Sequence, residues 1–335
     1  MAGERKATIK DVAALAGVSI STVSRYLADA ASVQPFTAYR IRDAVQRLGY
    51  EPNTFARSLR RGTSKTVGVV VPNLEFYFGK ACRAISDYFY SRGYATFLCE
   101  SDNDAQKEQF FVRELIGQRV AGLVVASSGL NAAFLQQTAQ QYPHMVMLDR
   151  AEEAGCDIVA EDHEGNAFQL AAFALRRFAC GRMHLLLGEQ NAVNTRLCMA
   201  GVRRAFEAAG QPFGTVEAHY GCRREGRMER AVEQICGGQA AGRPVVLAFE
   251  PDFLEQTVIA LNRRGPALLD QIDLAGLAME NSLDKLGRHF ACIVQQPEYA
   301  GITAAQALHR RLEEPDGTRE PPRMYRVRSL PRLES

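Results

Sequence analysis

Ten short apolar runs, interleaved with stretches of helical periodicity, limit what this chain can fold into more than any other feature of it. The runs fall at 67–71, 95–99, 120–126, 145–148, 158–160, 185–187, 216–220, 245–249, 274–278 and 291–294. Amphipathic patterns lie between them, at 81–90, 107–115, 130–140, 167–178, 197–209, 227–235, 252–263 and 300–312. A strand that is apolar at nearly every position is buried on both faces, and a parallel sheet with helices on both sides provides that burial. The pattern predicts a doubly wound α/β body. Ten βα units exceed one open sheet, so two lobes are expected, with a ligand between the C-terminal ends of their strands.

The first sixty residues follow another rule. Thr8, with Asp11 in the first turn, reads as a helix N-cap ahead of Ile9, Val12, Ala13, Leu15 and Ala16. Gly17 ends that helix, and Ser19 caps a second one over 20–27. A capped helix, a short turn and another capped helix form a helix-turn-helix pattern. A third amphipathic run follows Pro35 and stops at Gly49. On the second helix Ile20, Ser21, Thr22, Ser24 and Arg25 gather short, hydroxyl-bearing and cationic side chains at the N-terminal end. That end of a recognition helix enters the major groove, where small side chains allow close approach and arginine reaches guanine or phosphate. An ordinary helical hairpin with solvated hydroxyls would show the same residues.

Charge supports the division. The chain of 335 residues carries 40 Lys+Arg against 38 Asp+Glu, a net of +2. Residues 1–65 hold 11 and 5, while the rest hold 29 and 33. A basic block attached to a mildly acidic body points to an anionic partner for the N-terminus alone. No run of 18 apolar residues spans a membrane, and the N-terminus lacks the apolar stretch of a secretory signal, so a cytoplasmic protein is expected. The eight cysteines are scattered without a C-x-x-C pair, and most read as reduced core residues, with a reactive thiol left open for Cys198 alone. His144, His163, His184, His219, His289 and His309 show no ligand spacing, so neither metal nor cofactor is expected. No nucleophile elbow, P-loop or zinc motif supports an enzyme with a DNA-binding appendage. A periplasmic sugar carrier would leave the first 65 residues unexplained.

The segments TIKDVA, AGVS, TVSR, LGYEPN and ARSL stand in an order and spacing that resemble the lactose-repressor (LacI/GalR) family of bacterial transcription regulators. The resemblance is dense over residues 8–72 and continues to about residue 330. It implies an all-α helix-turn-helix headpiece at 1–52, a hinge helix and linker at 53–65, and a two-lobed periplasmic-binding-protein-like core at 66–335. The first lobe would take about 66–162 plus 296–324, and the second 163–295 plus 325–335, with three crossings between them.

By that resemblance Thr8, Ser19, Ile20, Ser21, Thr22, Ser24 and Arg25 face double-stranded operator DNA, a pseudo-palindrome bound by a homodimer. Asn53, Arg57 and Arg60 would flank the minor groove. Leu59 would be the wedge that unstacks a base step there, or else a buried linker leucine. The chain ends within five residues of Leu330 with no heptad tail, which favours a dimer over a tetramer. Gln34-Pro35 and Ala28 depart from the usual family residues.

A carbohydrate-type effector is implied between the lobes. Its candidate contacts are Asn73, Phe76, Phe78, Asp149, Arg150, Arg196, Asp252, Glu280 and Gln296. Phe76 or Phe78 would stack on a sugar face, or one of them would be core. Arg150 suits carboxylate or phosphate, or an inter-lobe ion pair. Asp252 reads more readily as a helix cap. Cys198 falls where the family places its ligand arginine, three residues before Gly201, with Arg196 as the nearest substitute. A sugar, sugar acid or sugar phosphate fits this set.

Overall fold

The computed structural model describes residues 7–50, 64–150, 154–178, 182–238, 242–280, 290–315 and 320–333. The chain divides into two compact units, 1–64 and 65–335.

The N-terminal unit holds α1 (Ile9–Ala16), α2 (Ile20–Ala28) and α3 (Pro35–Leu48). The Thr8 backbone N–H and hydroxyl both donate to the Asp11 carboxylate, at 2.8 and 2.6 Å. Gly17 takes φ 61° to close α1, a backbone state that glycine reaches without steric cost. Ser19 Oγ accepts from the Thr22 N–H at 3.2 Å and so caps α2. Helix α3 starts at Pro35 on Gln34, whose side chain makes no cap bond. Val12, Ala13, Ala16, Val23, Ile41 and Ala44 form the core where the three helices meet. Small residues at the crossings let the helices approach closely.

The larger unit contains two six-stranded sheets. In the first, the order is β2 (Ala95–Glu100), β1 (Thr66–Val71), β3 (Gly122–Val125), β4 (Met145–Leu148), β5 (Asp157–Glu161) and β11 (Met324–Val327). All of its pairings are parallel. The second repeats the order with β7 (Val216–His219), β6 (Met183–Leu186), β8 (Val245–Ala248), β9 (Asp273–Ala278), β10 (Ala291–Val294) and β12 (Leu330–Arg332). Here β12 runs antiparallel to β10. This 2-1-3-4-5 order puts a ligand crevice at the strand C-termini.

Helices α4 (Phe76–Tyr90), α5 (Ala105–Gly117), α6 (Ala132–Gln141) and α11 (Pro297–Glu313) belong to the first lobe. Helices α7 (His163–Arg177), α8 (Val193–Ala208), α9 (Arg227–Gly237) and α10 (Phe253–Arg264) belong to the second. Each sheet has one apolar core on either face. Strands β1, β3, β4, β8 and β10 are buried almost throughout, which is why their sequences carry no alternation.

The backbone passes between lobes after β5, after β10 and after β11. The last passage differs from the sequence expectation. Tyr325, Arg326 and Val327 pair with β5 in the first sheet, so the crossing lies at residues 328–329 and not at 324–325. Two strands of four and three residues, one containing Pro331, have too little periodicity to announce themselves.

Candidate DNA-reading helix and effector cleft

At the N-terminus of α2, Ile20, Ser21 and Arg25 are exposed, Thr22 and Ser24 are half-buried, and Val23 points into the core. The Ser19 hydroxyl lies 2.7 Å from Ser21 Oγ and 2.8 Å from Thr22 Oγ1. This hydroxyl cluster holds the first turn rigid and compact, and Arg25 stands one turn further along. Such a surface donates to phosphate oxygens and presents short groups to base edges.

In the larger unit a cavity of about 1040 Å³ opens where the strand ends of the two sheets converge. The first lobe contributes Asp102 and Asn103 beyond β2, Ser128 and Leu130 beyond β3, and Arg150 beyond β4. The second contributes Gly188, Glu189, Gln190, Asn191 and Ala192 beyond β6, His219, Tyr220, Gly221, Arg223 and Arg224 at the end of β7, and Glu250 beyond β8. Arg227 and Arg230, one turn apart on α9, complete a wall with five arginines against three carboxylates.

These arginines are held differently. Arg150 Nη1 donates to Asn103 Oδ1 at 2.7 Å, and its guanidinium lies 5.4 Å from the Phe78 ring centre. Among the described residues its buried Nε has no hydrogen-bond partner. Arg223 donates to Asp252 at 2.7 and 3.1 Å and to Glu250 at 3.2 Å. Burial alone would lower its pKa, but Glu250 and Asp252 more than offset that and keep it charged. Arg224 makes two bonds to Glu189, at 2.8 and 2.6 Å. Neither Arg227 nor Arg230 is ion-paired to a carboxylate among the described residues. Uncompensated guanidinium groups in a concave site suit an anion.

Behind the cleft, one carboxylate ties the three inter-lobe passages together. Glu161, at the end of β5, accepts from Gln295 Nε2 at 3.0 Å, from the Gln296 N–H at 3.2 Å and from Ser329 Oγ at 2.7 Å. Burial raises its pKa. Beside it, His163 Nε2 lies 2.8 Å from Asp149 Oδ1, both buried. Burial opposes charge on His163, yet Asp149 and Glu161 push its pKa up to about 9. Burial would also raise Asp149, but His163 and Arg150 hold it below the usual carboxylate range.

Residues 8–53 match the sequence model for bacterial regulatory proteins of the lacI family. Residues 64–236, more than half of the chain, match the model for periplasmic binding proteins and the sugar binding domain of the LacI family. The chain belongs to the LacI family. It is a DNA-binding transcriptional repressor of that family, with the expected helical headpiece and two-lobed α/β body. Over 322 residues it is 26% identical to the HTH-type transcriptional repressor PurR of Aliivibrio fischeri strain MJ11, covering 93% of this chain and 94% of the relative. The Lac repressor dimer bound to operator and the anti-inducer ONPF shares the fold at TM-score 0.81, with 19% identity over 98% of this chain and 99% of that one. A transcriptional regulator CelR–cellobiose complex aligns at TM-score 0.63, with 21% identity over 96% of this chain and 97% of that one.

Against the family pattern, the nine effector candidates separate in space. Arg150 lines the cavity, and the other eight lie outside its lining. Asn73 Oδ1 accepts from the Glu75 N–H at 3.2 Å and shapes the entry to α4. Phe78 is core, while Phe76 is exposed with φ 41°. Asp149 lies 2.8 Å from His163, and Gln296 is the N-cap residue of α11 with its N–H on Glu161. Asp252 is the N-cap residue of α10, but its carboxylate makes no cap bond and binds Arg223 instead. Glu280 pairs with Arg332 at 2.6 Å on an exposed surface.

Arg196 is exposed on α8, and Cys198 is buried in the second-lobe core. Gly201 explains that placement. A Cβ there would strike the Glu164 carbonyl, so α8 rides directly on α7 at this point. Cys198, one turn earlier on the same face, is carried into the same contact, 3.8 Å from the His163 carbonyl. Burial pushes its thiol far up, which argues against a reactive thiol at this position. Asn53, Arg57, Leu59 and Arg60 lie outside the described residues. The arginines of α9 and Arg223 were missed in the sequence, although GCRREGR directly follows an expected strand end and could have been read as a cleft loop.

Proposed function

We propose that this repressor acts in the cytoplasm as a homodimer on a pseudo-palindromic operator, and that an anionic carbohydrate-type effector held between its lobes switches its affinity for DNA. A sugar acid or sugar phosphate fits better than a neutral sugar. The observation behind this reading is the cavity wall of five arginines and three carboxylates, two of whose arginines have no described carboxylate partner. The CelR–cellobiose complex supports a carbohydrate frame, since that regulator of the same fold carries a disaccharide. Arg25 and the hydroxyl cluster of α2 would hold the operator. Closure of the lobes around the anion would shift the equilibrium between DNA-competent and DNA-released states, and such couplings are generally about 1–3 kcal/mol.

A thermal-shift screen tests the reading with sugar phosphates, sugar acids and their neutral parents on the full chain. A ligand at 100 times its Kd stabilises by about 2.7 kcal/mol, which is several degrees of Tm for a body of this size. The anionic members should raise Tm and the neutral parents should not. Arg227→Ala should remove most of the rise while leaving the melting of the unliganded protein unchanged. A rise with neutral sugars alone would overturn the proposal.

A further inference from the structure

At the edge of the second sheet lies a cluster that neither the DNA-reading helix nor the cleft arginines use. Side chains alternate across a strand, so Glu217 and His219 of β7 share a face. The parallel register sets His184 of β6 beside Glu217 and brings a third donor to that face. His184 Nδ1 lies 3.1 Å from His219 Nε2, with the two rings stacked. Glu217 Oε2 lies 3.4 Å from His184 Nδ1. One ligand atom from each residue falls within 4.8 Å of the others.

The surroundings hold this arrangement. Arg182 Nη1 takes the other Glu217 oxygen, Oε1, at 2.6 Å and turns Oε2 toward the imidazoles. The His219 ring also hydrogen-bonds the Gln234 side chain on α9. Outer partners of this kind orient metal ligands. His184 is buried, whereas Glu217 is 41% exposed, so an ion has a path in. Burial, aided by His219, lowers the His184 pKa to about 4, and burial lowers that of His219. Both rings are neutral near pH 7, the state in which imidazole binds metal.

We propose that His184, Glu217 and His219 form a zinc site on the second lobe, with the fourth position left to water. Tetrahedral zinc with ligands at roughly 2.0–2.1 Å has ligand atoms about 3.3–3.4 Å apart, and the two separations here, 3.1 and 3.4 Å, are close to that. Two imidazoles and one carboxylate select zinc over magnesium or calcium, which prefer all-oxygen cages. When the ion enters, the hydrogen shared between His184 Nδ1 and His219 Nε2 moves to another ring nitrogen, so no net charge need be expelled. His219 is also part of the cleft wall, so the ion would sit at the rim of the effector cavity.

The test uses the full chain stripped with a chelator and titrated with Zn²⁺ against a chromophoric competitor, and then with Co²⁺. One Zn²⁺ per chain is expected. The Co²⁺ form should show four-coordinate visible bands without a thiolate charge-transfer band, which separates this site from the cysteines. His219→Gln and Glu217→Gln should each weaken Zn²⁺ by about 100-fold or more, and Arg182→Ala by about 10–100-fold, as for loss of an outer partner. Circular dichroism checks that each variant is folded, and Glu217→Gln, at an exposed side chain, serves if His219→Gln is not. Absence of stoichiometric binding would leave a simple imidazole–imidazole hydrogen bond and overturn the site. So would a thiolate band, or affinity unchanged in the folded variants.

Discussion

Asp157 stands at the start of β5 with no exposed surface, and among the described residues four hydrogen bonds converge on its carboxylate. Arg311 donates at 2.6 and 3.1 Å, Arg310 at 2.7 Å and the Arg323 N–H at 2.8 Å. One side chain thus fastens α11 and the approach to β11 onto the first sheet. Removing one partner of a buried charged group strands the others, which costs about 3–5 kcal/mol. Asp157→Ala should therefore lower the unfolding free energy obtained from urea denaturation by that amount, and a loss below about 1 kcal/mol would contradict the account. Arg25 is the opposite case, an exposed cation with no structural duty. Arg25→Ala should leave the urea midpoint unchanged and weaken operator binding in an electrophoretic shift; equal affinity would remove it from the interface. Arg25 lies in the TVSR motif and could be given a role from sequence, whereas Asp157, just before the apolar run at 158–160, could not. The role of Asp157 depends on residues more than 150 positions away.

Among the elements, the three inter-lobe passages meet at one buried carboxylate. Glu161 gathers all three, and His163 lies beside it against Asp149. A histidine raised from 6.5 to about 9 stabilises the fold fully below pH 6.5, and that contribution fades as pH rises through 9. The full contribution is on the order of 3 kcal/mol. Urea denaturation at pH 6, 7.5 and 9.5 should show wild type losing this increment while His163→Gln stays flat over the same window. Parallel profiles would mean that the charge on His163 does not hold the hinge. The element pattern was largely legible in advance. All ten apolar runs became strands; the inner ones are buried on both faces and write that burial directly into sequence, whereas the edge strands β2 and β7 are exposed or half-buried. Strands β11 and β12 were not legible, being short and placed by their partners.

For the whole molecule, the segregation of charge separates two kinds of binding. Residues 1–65 carry six excess positive charges, so salt should act chiefly on operator binding. A plot of log affinity against log salt should lose about one unit of slope per headpiece in Arg25→Ala, and none in the cavity variant Arg227→Ala. If both variants flatten the plot alike, the cleft arginines touch DNA and the division fails. The helical headpiece, the doubly wound body, the family and the existence of a cleft were all determined by sequence alone. Caps, periodicity and apolar runs are local, and each is complete within about fifteen residues. The identity of the cleft wall was decided only in three dimensions. Arg223 and the α9 arginines meet Arg150 there, while Cys198 and Asp149 turn inward. The pairing of His184 with His219 was likewise hidden, since spacing along the chain gives no sign that two neighbouring parallel strands will bring residues 35 apart to 3.1 Å. Strand pairing and helix docking are long-range choices, settled by burial and register over the whole core.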